Sequence, residues 1–369
     1  MARNSVSSMI PADILCAADY ERWAMQALAA DTFAYIAEGA GEERTLARNR
    51  AAFSETVLSP RALVDCGRGS TAIKLLGRRL AHPILLAPVA YQRLVHTQGE
   101  IAVAEGAAAA DAVMVISTLA STMLESVAAA ASAGAWFQLY LQPSRDDSLR
   151  LIRRAEVAGC EAIVVTVDAP VTALRYRSQR AGFRMPDQVR AVNLEPSTAP
   201  PTALTPHDSA VFQGVMASAP GWQCIEWLCR ATELPVLVKG VLDARDAIMA
   251  VEAGARGVVV SNHGGRALDG VPASLKVLPQ IRAALPPWVP LLVDSGIRSG
   301  GDVFKALASG ASAVMVGRLQ TYALAAAGAL GVAHMVRLLK EELEVTMALM
   351  GCPAPQDITP DAISQFKPG

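Results

Sequence analysis

The sequence predicts a single α/β domain, a TIM-type (β/α)8 barrel, on three observations. From Pro83 onward, short β-rich apolar runs alternate with Ala-rich, helix-favouring stretches of about ten or more residues, the rhythm of βα units feeding a parallel sheet. About eight such runs occur, and right-handed crossovers repeated that often close most economically into a barrel, with an open doubly wound sheet as the competing architecture. Polar groups recur just after these runs and hardly within them, which is where a barrel carries its active-site loops.

The candidate strands are residues 84–87, 113–117, 136–140, 162–167, 236–239, 257–261, 291–293 and 313–316. Each is rich in branched apolar residues and is bounded by turn formers. Between them lie helical stretches at 99–110, 145–158, 244–253, 273–285 and 301–309. Three of these run into Gly159, Gly254 and Gly310, a plausible C-cap before the next strand. Residues 81–350 therefore read as the barrel, 1–80 as an N-terminal helical extension and 351–369 as a C-terminal tail. A long loop at 180–221 follows the fourth strand and carries Pro186, Pro196, Pro200, Pro201, Pro206 and Pro220. Its length suits an active-site lid or a tether, since structureless loops beyond about 12–15 residues are uncommon. Its polarity argues against membrane attachment.

Composition narrows the classes. With 52% hydrophobic and 18% charged residues, the chain can bury a large core and disorder is not expected. Lys+Arg 33 against Asp+Glu 34, without a block of like charge, gives no broad attraction to nucleic acid. Cys16, Cys66, Cys160, Cys224, Cys229 and Cys352 are scattered without a Cys-x-x-Cys pair, so they read as reduced, buried fillers. No apolar signal core precedes Pro11, and charges or turn residues interrupt the apolar runs before the roughly 18 residues of a membrane span. A soluble cytoplasmic protein without a membrane partner is expected.

The most informative segment is the apolar run at 257–260 followed by Ser261-Asn262-His263-Gly264-Gly265-Arg266. The two glycines permit backbone conformations and close ligand approach that a Cβ resists. A lone histidine after a strand is usually structural, and no second histidine or carboxylate stands at metal-ligand spacing, so no metal site is expected. The company of Arg266, of Asp168 at another strand end and of Lys239 at a third raises His263 to a candidate general base. Asp294-Ser295-Gly296-Ile297-Arg298 and Gly317-Arg318 read as a phosphate site, because glycines expose backbone N–H groups and the arginines offer planar forks.

Extended through Ala267-Leu268-Asp269, this segment resembles the FMN-dependent α-hydroxy-acid oxidase and dehydrogenase family over roughly residues 20 to 351. Further matching landmarks are Ala87-Pro88, Phe137-Gln138-Leu139-Tyr140, Thr166-Val167-Asp168-Ala169-Pro170, Leu237-Val238-Lys239-Gly240-Val241, Asp302-Val303-Phe304-Lys305-Ala306-Leu307 and Gly317-Arg318. The resemblance implies an (S)-2-hydroxy-acid substrate and FMN as cofactor. It implies that His263 is the base, that Asp168 steadies its imidazolium, that Arg175 and Arg266 clamp the substrate carboxylate with Tyr35, and that Tyr140 lies near the hydroxyl. Lys239 would face flavin N1, with Pro88, Val89 and Ala90 against the ring, Ser117, Gln138 and Thr166 on its polar edge and Ser261 close by. Asp294 would take ribityl hydroxyls, while Ser295, Gly296, Ile297, Arg298, Gly317 and Arg318 complete the phosphate end.

Departures from the family pattern bear on substrate. Leu119 replaces a tryptophan of glycolate oxidases and Thr172 a leucine, which enlarges the pocket and points to mandelate or 4-hydroxymandelate; Tyr91, where methionine is common, would refill the space. The loop at 180–221 lacks the apolar membrane-binding stretch of mandelate dehydrogenases, so O2 is expected as acceptor with H2O2 as product. A quinone- or protein-linked dehydrogenase and an aliphatic hydroxy-acid oxidase are alternatives within this chemistry, and a phosphate-ligand binding barrel is the alternative outside it. The family resemblance also implies a homo-oligomer, a tetramer.

Overall fold

Eight parallel strands close on one another: β1 (Ile84–Leu86), β2 (Met114–Ser117), β3 (Ala135–Leu139), β4 (Ile163–Thr166), β5 (Val236–Val241), β6 (Gly257–Val260), β7 (Leu291–Val293) and β8 (Ala313–Val316). The structure is a computed structural model that describes residues 9–195 and 204–365. Strand β8 pairs back onto β1, with Val314 opposite Ile84, so the sheet is a barrel rather than the open doubly wound alternative. Every apolar run identified in the sequence is a strand, with ends moved by a residue or two.

The pleat explains why these runs are apolar throughout. Leu85, Val115, Trp136, Val164, Leu237, Val259, Leu292 and Met315 point inward and form one buried cluster. Alternate residues such as Ile84, Ile116, Phe137, Val165, Val258 and Val314 face the helical ring. Each such side chain contributes roughly 1.5–3 kcal/mol on full burial. A hairpin, Ile73–Leu75 with Arg78–Leu80, adds Leu75 and Leu80 to the inner cluster and closes the N-terminal mouth. The C-terminal mouth is left for the site.

The helices stop where the sequence says. Ser144, Asp243 and Ser299 cap Arg145–Val157, Ala244–Glu252 and Gly300–Ala308 through side-chain oxygens. Gly159, Gly254 and Gly310 follow them with φ of 82°, 99° and 103°.

Four expectations change. Residues 319–336 contain no Asp, Glu, Lys or Arg, so an apolar stretch of span length does exist, in helix Arg318–Met350. That helix is broken at Ala327 and Gly328, the latter at φ 59°, and its most apolar window is 67% buried against the barrel. The tail is not separate, because Ile363–Gln365 pairs antiparallel with Thr56–Leu58 of the N-terminal extension. The loop after β4 is less polar than its sequence suggested: Val211, Phe212 and Val215 are exposed around the short turns at Ala210–Gly214 and Val215–Ser218. Its Pro196, Pro200 and Pro201 lie outside the described residues. Finally, only Cys160 and Cys352 are buried, while the other four free thiols are partly accessible.

Candidate active site

Strand β6 delivers its loop through an unusual backbone. His263, Gly264 and Gly265 have φ of 59°, 66° and 74°, three successive residues in the left-handed region. Only the glycines adopt it freely, and a Cβ would lie 2.8 Å from Arg318 Nη1 at Gly264 and 2.8 Å from Leu46 N at Gly265. His263 pays for the same conformation with strain that a fixed surround must hold.

That surround begins with Asp168, beyond the end of β4. Its Oδ1 lies 2.8 Å from His263 Nδ1, which leaves Nε2 as the ring nitrogen for chemistry. Burial would raise the Asp168 pKa, but the charge and hydrogen bond of His263, aided by Lys239, outweigh it and hold the carboxyl below the usual range. Gly240 makes room for this carboxylate, since a Cβ there would sit 2.6 Å from Asp168 Cβ.

Lys239 is buried, with Nζ 2.9 Å from Ser261 Oγ and 2.9 Å from Asp294 Oδ2. Burial opposes its charge, yet Asp294 and Asp168 together raise its pKa. Ser261 Oγ also accepts from His263 N at 3.0 Å. Ser261 is therefore a fully buried brace behind Lys239. Asp294 is likewise engaged on both oxygens, by Lys239 and by Ser295 Oγ at 2.7 Å.

Above these groups lies a cavity at the C-terminal mouth. It is lined by Tyr35, Pro88, Val89, Ala90, Ser117, Leu119, Gln138, Tyr140, Thr166, Arg175, Lys239, His263, Arg266, Asp294, Ser295, Gly296, Ile297, Arg298, Gly317 and Arg318. Among the candidate site residues, Asp168, Thr172 and Ser261 are not part of this lining. Arg175 and Arg266 lie 5.9 and 5.3 Å from the centroid of the Tyr35 ring, and Phe183 stacks on that ring at 4.4 Å. Burial, reinforced by Arg175, pushes Arg266 down to about 10, and burial pushes the Tyr140 phenol up to about 12. Arg318 reaches the cavity wall while donating to the carbonyls of Ile36, Gly264 and Glu38. Burial and the nearby Arg266 push it down to about 9, which marks a site that gains from an anion.

Sequence reading missed the residues that fasten the N-terminal extension to this mouth. Asn262 and Asn49 exchange amide hydrogen bonds at 2.7 and 2.9 Å. Asp269 accepts from Glu42 N at 3.0 Å and Thr45 N at 2.8 Å. It thereby caps helix Arg44–Glu55, whose own N-cap Glu43 is left-handed and makes no side-chain cap bond. Both residues stood in the quoted motif, but their partners are more than 200 positions away. Glu100 was equally silent; fully buried, it accepts from Gln92 N, Ser121 N, Ser121 Oγ and Thr122 Oγ1, and so locks the loops that carry Tyr91 and Leu119.

The FMN-dependent dehydrogenase family matches residues 24–365. The chain belongs to this family. It is 51% identical to an L-lactate oxidase of Alicycliphilus denitrificans over 98% of this chain and 99% of that one. It is 46% identical to a 4-hydroxymandelate oxidase of Amycolatopsis orientalis, covering 91% and 94%. Among solved structures, a mandelate oxidase with (S)-2-phenylpropionate superposes with TM-score 0.86 at 43% identity, covering 95% and 98%. A mandelate oxidase variant bearing a C4a-OH-FMN adduct gives 0.85 at 43% identity, covering 95% and 99%. The chain is thus an FMN-dependent oxidase, and its residues fit the cofactor. Two buried polar atoms in the cavity wall, Gln138 Nε2 and Thr166 Oγ1, have no hydrogen-bond partner among the described residues. The carbonyl- and imide-bearing edge of a flavin would supply the partners they lack.

Proposed function

We propose that this flavoenzyme oxidises an (S)-2-hydroxy acid to the 2-oxo acid with reduction of O2 to H2O2, and that the substrate carries a short alkyl group, as lactate does. One arrangement carries the reaction class: His263, oriented by Asp168 at 2.8 Å, shares a cavity with Arg175 and Arg266 on the Tyr35 ring. The arginines and Tyr35 hold the carboxylate, Tyr140 lies at the hydroxyl, and His263 removes a proton from the substrate as general base. Asp168 stabilises the resulting imidazolium. When bound, FMN would supply the two-electron redox chemistry that links the alcohol-to-ketone oxidation to O2. Gln138, Thr166, Ser117 and Lys239 would hold its polar ring edge, Pro88 to Ala90 its face, and Asp294 to Arg298 with Gly317 and Arg318 its ribityl phosphate.

Tyr91 supports the short substituent. It follows Ala90 in a left-handed turn with φ 54°, its N–H bonds the Leu119 carbonyl at 3.1 Å, and its phenol lines the cavity, raised in pKa by burial and by Tyr35. The ring would take volume that Leu119 leaves free, and the likeness to an L-lactate oxidase at 51% identity supports the same reading. An aryl acid such as mandelate is the second reading, favoured by Leu119 itself and by the mandelate oxidase structures. Steady-state peroxide production with (S)-lactate and (S)-mandelate separates them. A kcat/KM ratio above about tenfold for lactate, roughly 1.4 kcal/mol of discrimination, supports the first reading and the reverse ratio the second. Absence of peroxide under air, with dye reduction intact, would contradict O2 as the acceptor.

A further inference from the structure

One buried carboxylate sits among the arginines of the mouth and has no part in the chemistry above. Glu38 follows helix Ala30–Ala37 and is fully buried. Its Oε2 accepts from Ser178 N at 2.8 Å, in the short helix Tyr176–Arg180 that Arg175 opens. Its backbone carbonyl accepts from Arg266 Nη1 at 3.0 Å and Arg318 Nη2 at 2.7 Å. Its Oε1 is buried without a hydrogen-bond partner among the described residues. A single residue therefore touches the segment that carries one clamp arginine and the side chain of the other.

Leaving a buried carboxylate oxygen unbonded is costly, and the compensation available here is the field of the surrounding guanidinium groups. The neighbouring acid Glu43 is already paired with Arg177, so it offers these groups less. Without Glu38, Arg175 and Arg266 would face each other across Tyr35 with their mutual repulsion less balanced, and the chain at Ser178 would lose its anchor.

We propose that Glu38 is a positioning residue, setting the spacing of Arg175 and Arg266 and through it the affinity for the substrate carboxylate. The inference rests on the 2-hydroxy-acid reading given above. The test uses FMN-loaded enzyme, titrated anaerobically with pyruvate as an unreactive carboxylate and followed by the flavin difference spectrum, beside KM and kcat for lactate. Glu38→Ala is expected to raise Kd and KM about tenfold or more while kcat changes less than about threefold, because binding and not chemistry is altered. Glu38→Gln, which keeps an acceptor for Ser178 N but not the charge, is expected to fall between Glu38→Ala and the wild type. It carries the test alone if Glu38→Ala does not fold, through a Kd raised about threefold or more. Wild-type binding with unchanged Kd in the folded variants overturns the role of Glu38 alone. Wild-type enzyme whose flavin spectrum responds to neither 2-oxo nor 2-hydroxy acids overturns the functional reading and this inference with it.

Discussion

His263 is both the proposed base and a strained residue, and the two belong together. A left-handed backbone at φ 59° aims its ring, and Asp168 holds Nδ1 at 2.8 Å, so Nε2 remains the basic atom. His263→Ala should keep the yellow cofactor, because the residues assigned to FMN are untouched, yet slow flavin reduction in anaerobic stopped-flow by about 10²–10⁴. Unchanged reduction would remove His263 from the chemistry. Asp168 gives a pH test. Its folded pKa is depressed, so the stability it confers is present above the unfolded carboxylate value, about 3.9, and is lost as pH falls through the lower folded value. Asp168→Asn should therefore be less stable than wild type by about 1–3 kcal/mol near neutrality, and thermal melts should show the gap closing in acid. These residues were legible because titratable groups after apolar strands advertise themselves. Ser261 was legible only in part: its place beside the histidine is visible in sequence, whereas its role as a brace depends on Lys239.

The N-terminal extension is the element that turns a barrel mouth into a site. It brings Tyr35 to the arginines and is latched by Asn49 to Asn262 and by Asp269 to the first turn of helix Arg44–Glu55. Asp269→Ala removes that cap and should lower stability by about 0.5–2 kcal/mol, with Asp269→Asn recovering most of it. Equal melting of all three proteins would refute the latch. Strands and helices were readable in sequence because their hydrophobic periods and glycine stops are local. The break at Ala327 and Gly328, the pairing of residues 363–365 with 56–58 and the apolar exposures around Phe212 were not, since each depends on tertiary surroundings that no window of sequence contains.

At the scale of the molecule, one mouth of the barrel is closed by a hairpin and the other gathers groups from all eight strand ends over a single cavity. Closure makes the placement possible: parallel strands carry every C-terminal end to the same rim, so residues as distant as Pro88 and Arg318 line one space. The central claim is that this rim couples an α-hydroxy acid to FMN and then to oxygen. Its most direct test is anaerobic titration of the purified protein with (S)-lactate and (S)-mandelate, followed by admission of air. The flavin absorbance should bleach with one equivalent of substrate and return with stoichiometric peroxide. Flavin that stays oxidised under both acids, or that bleaches and returns without peroxide, would contradict the account.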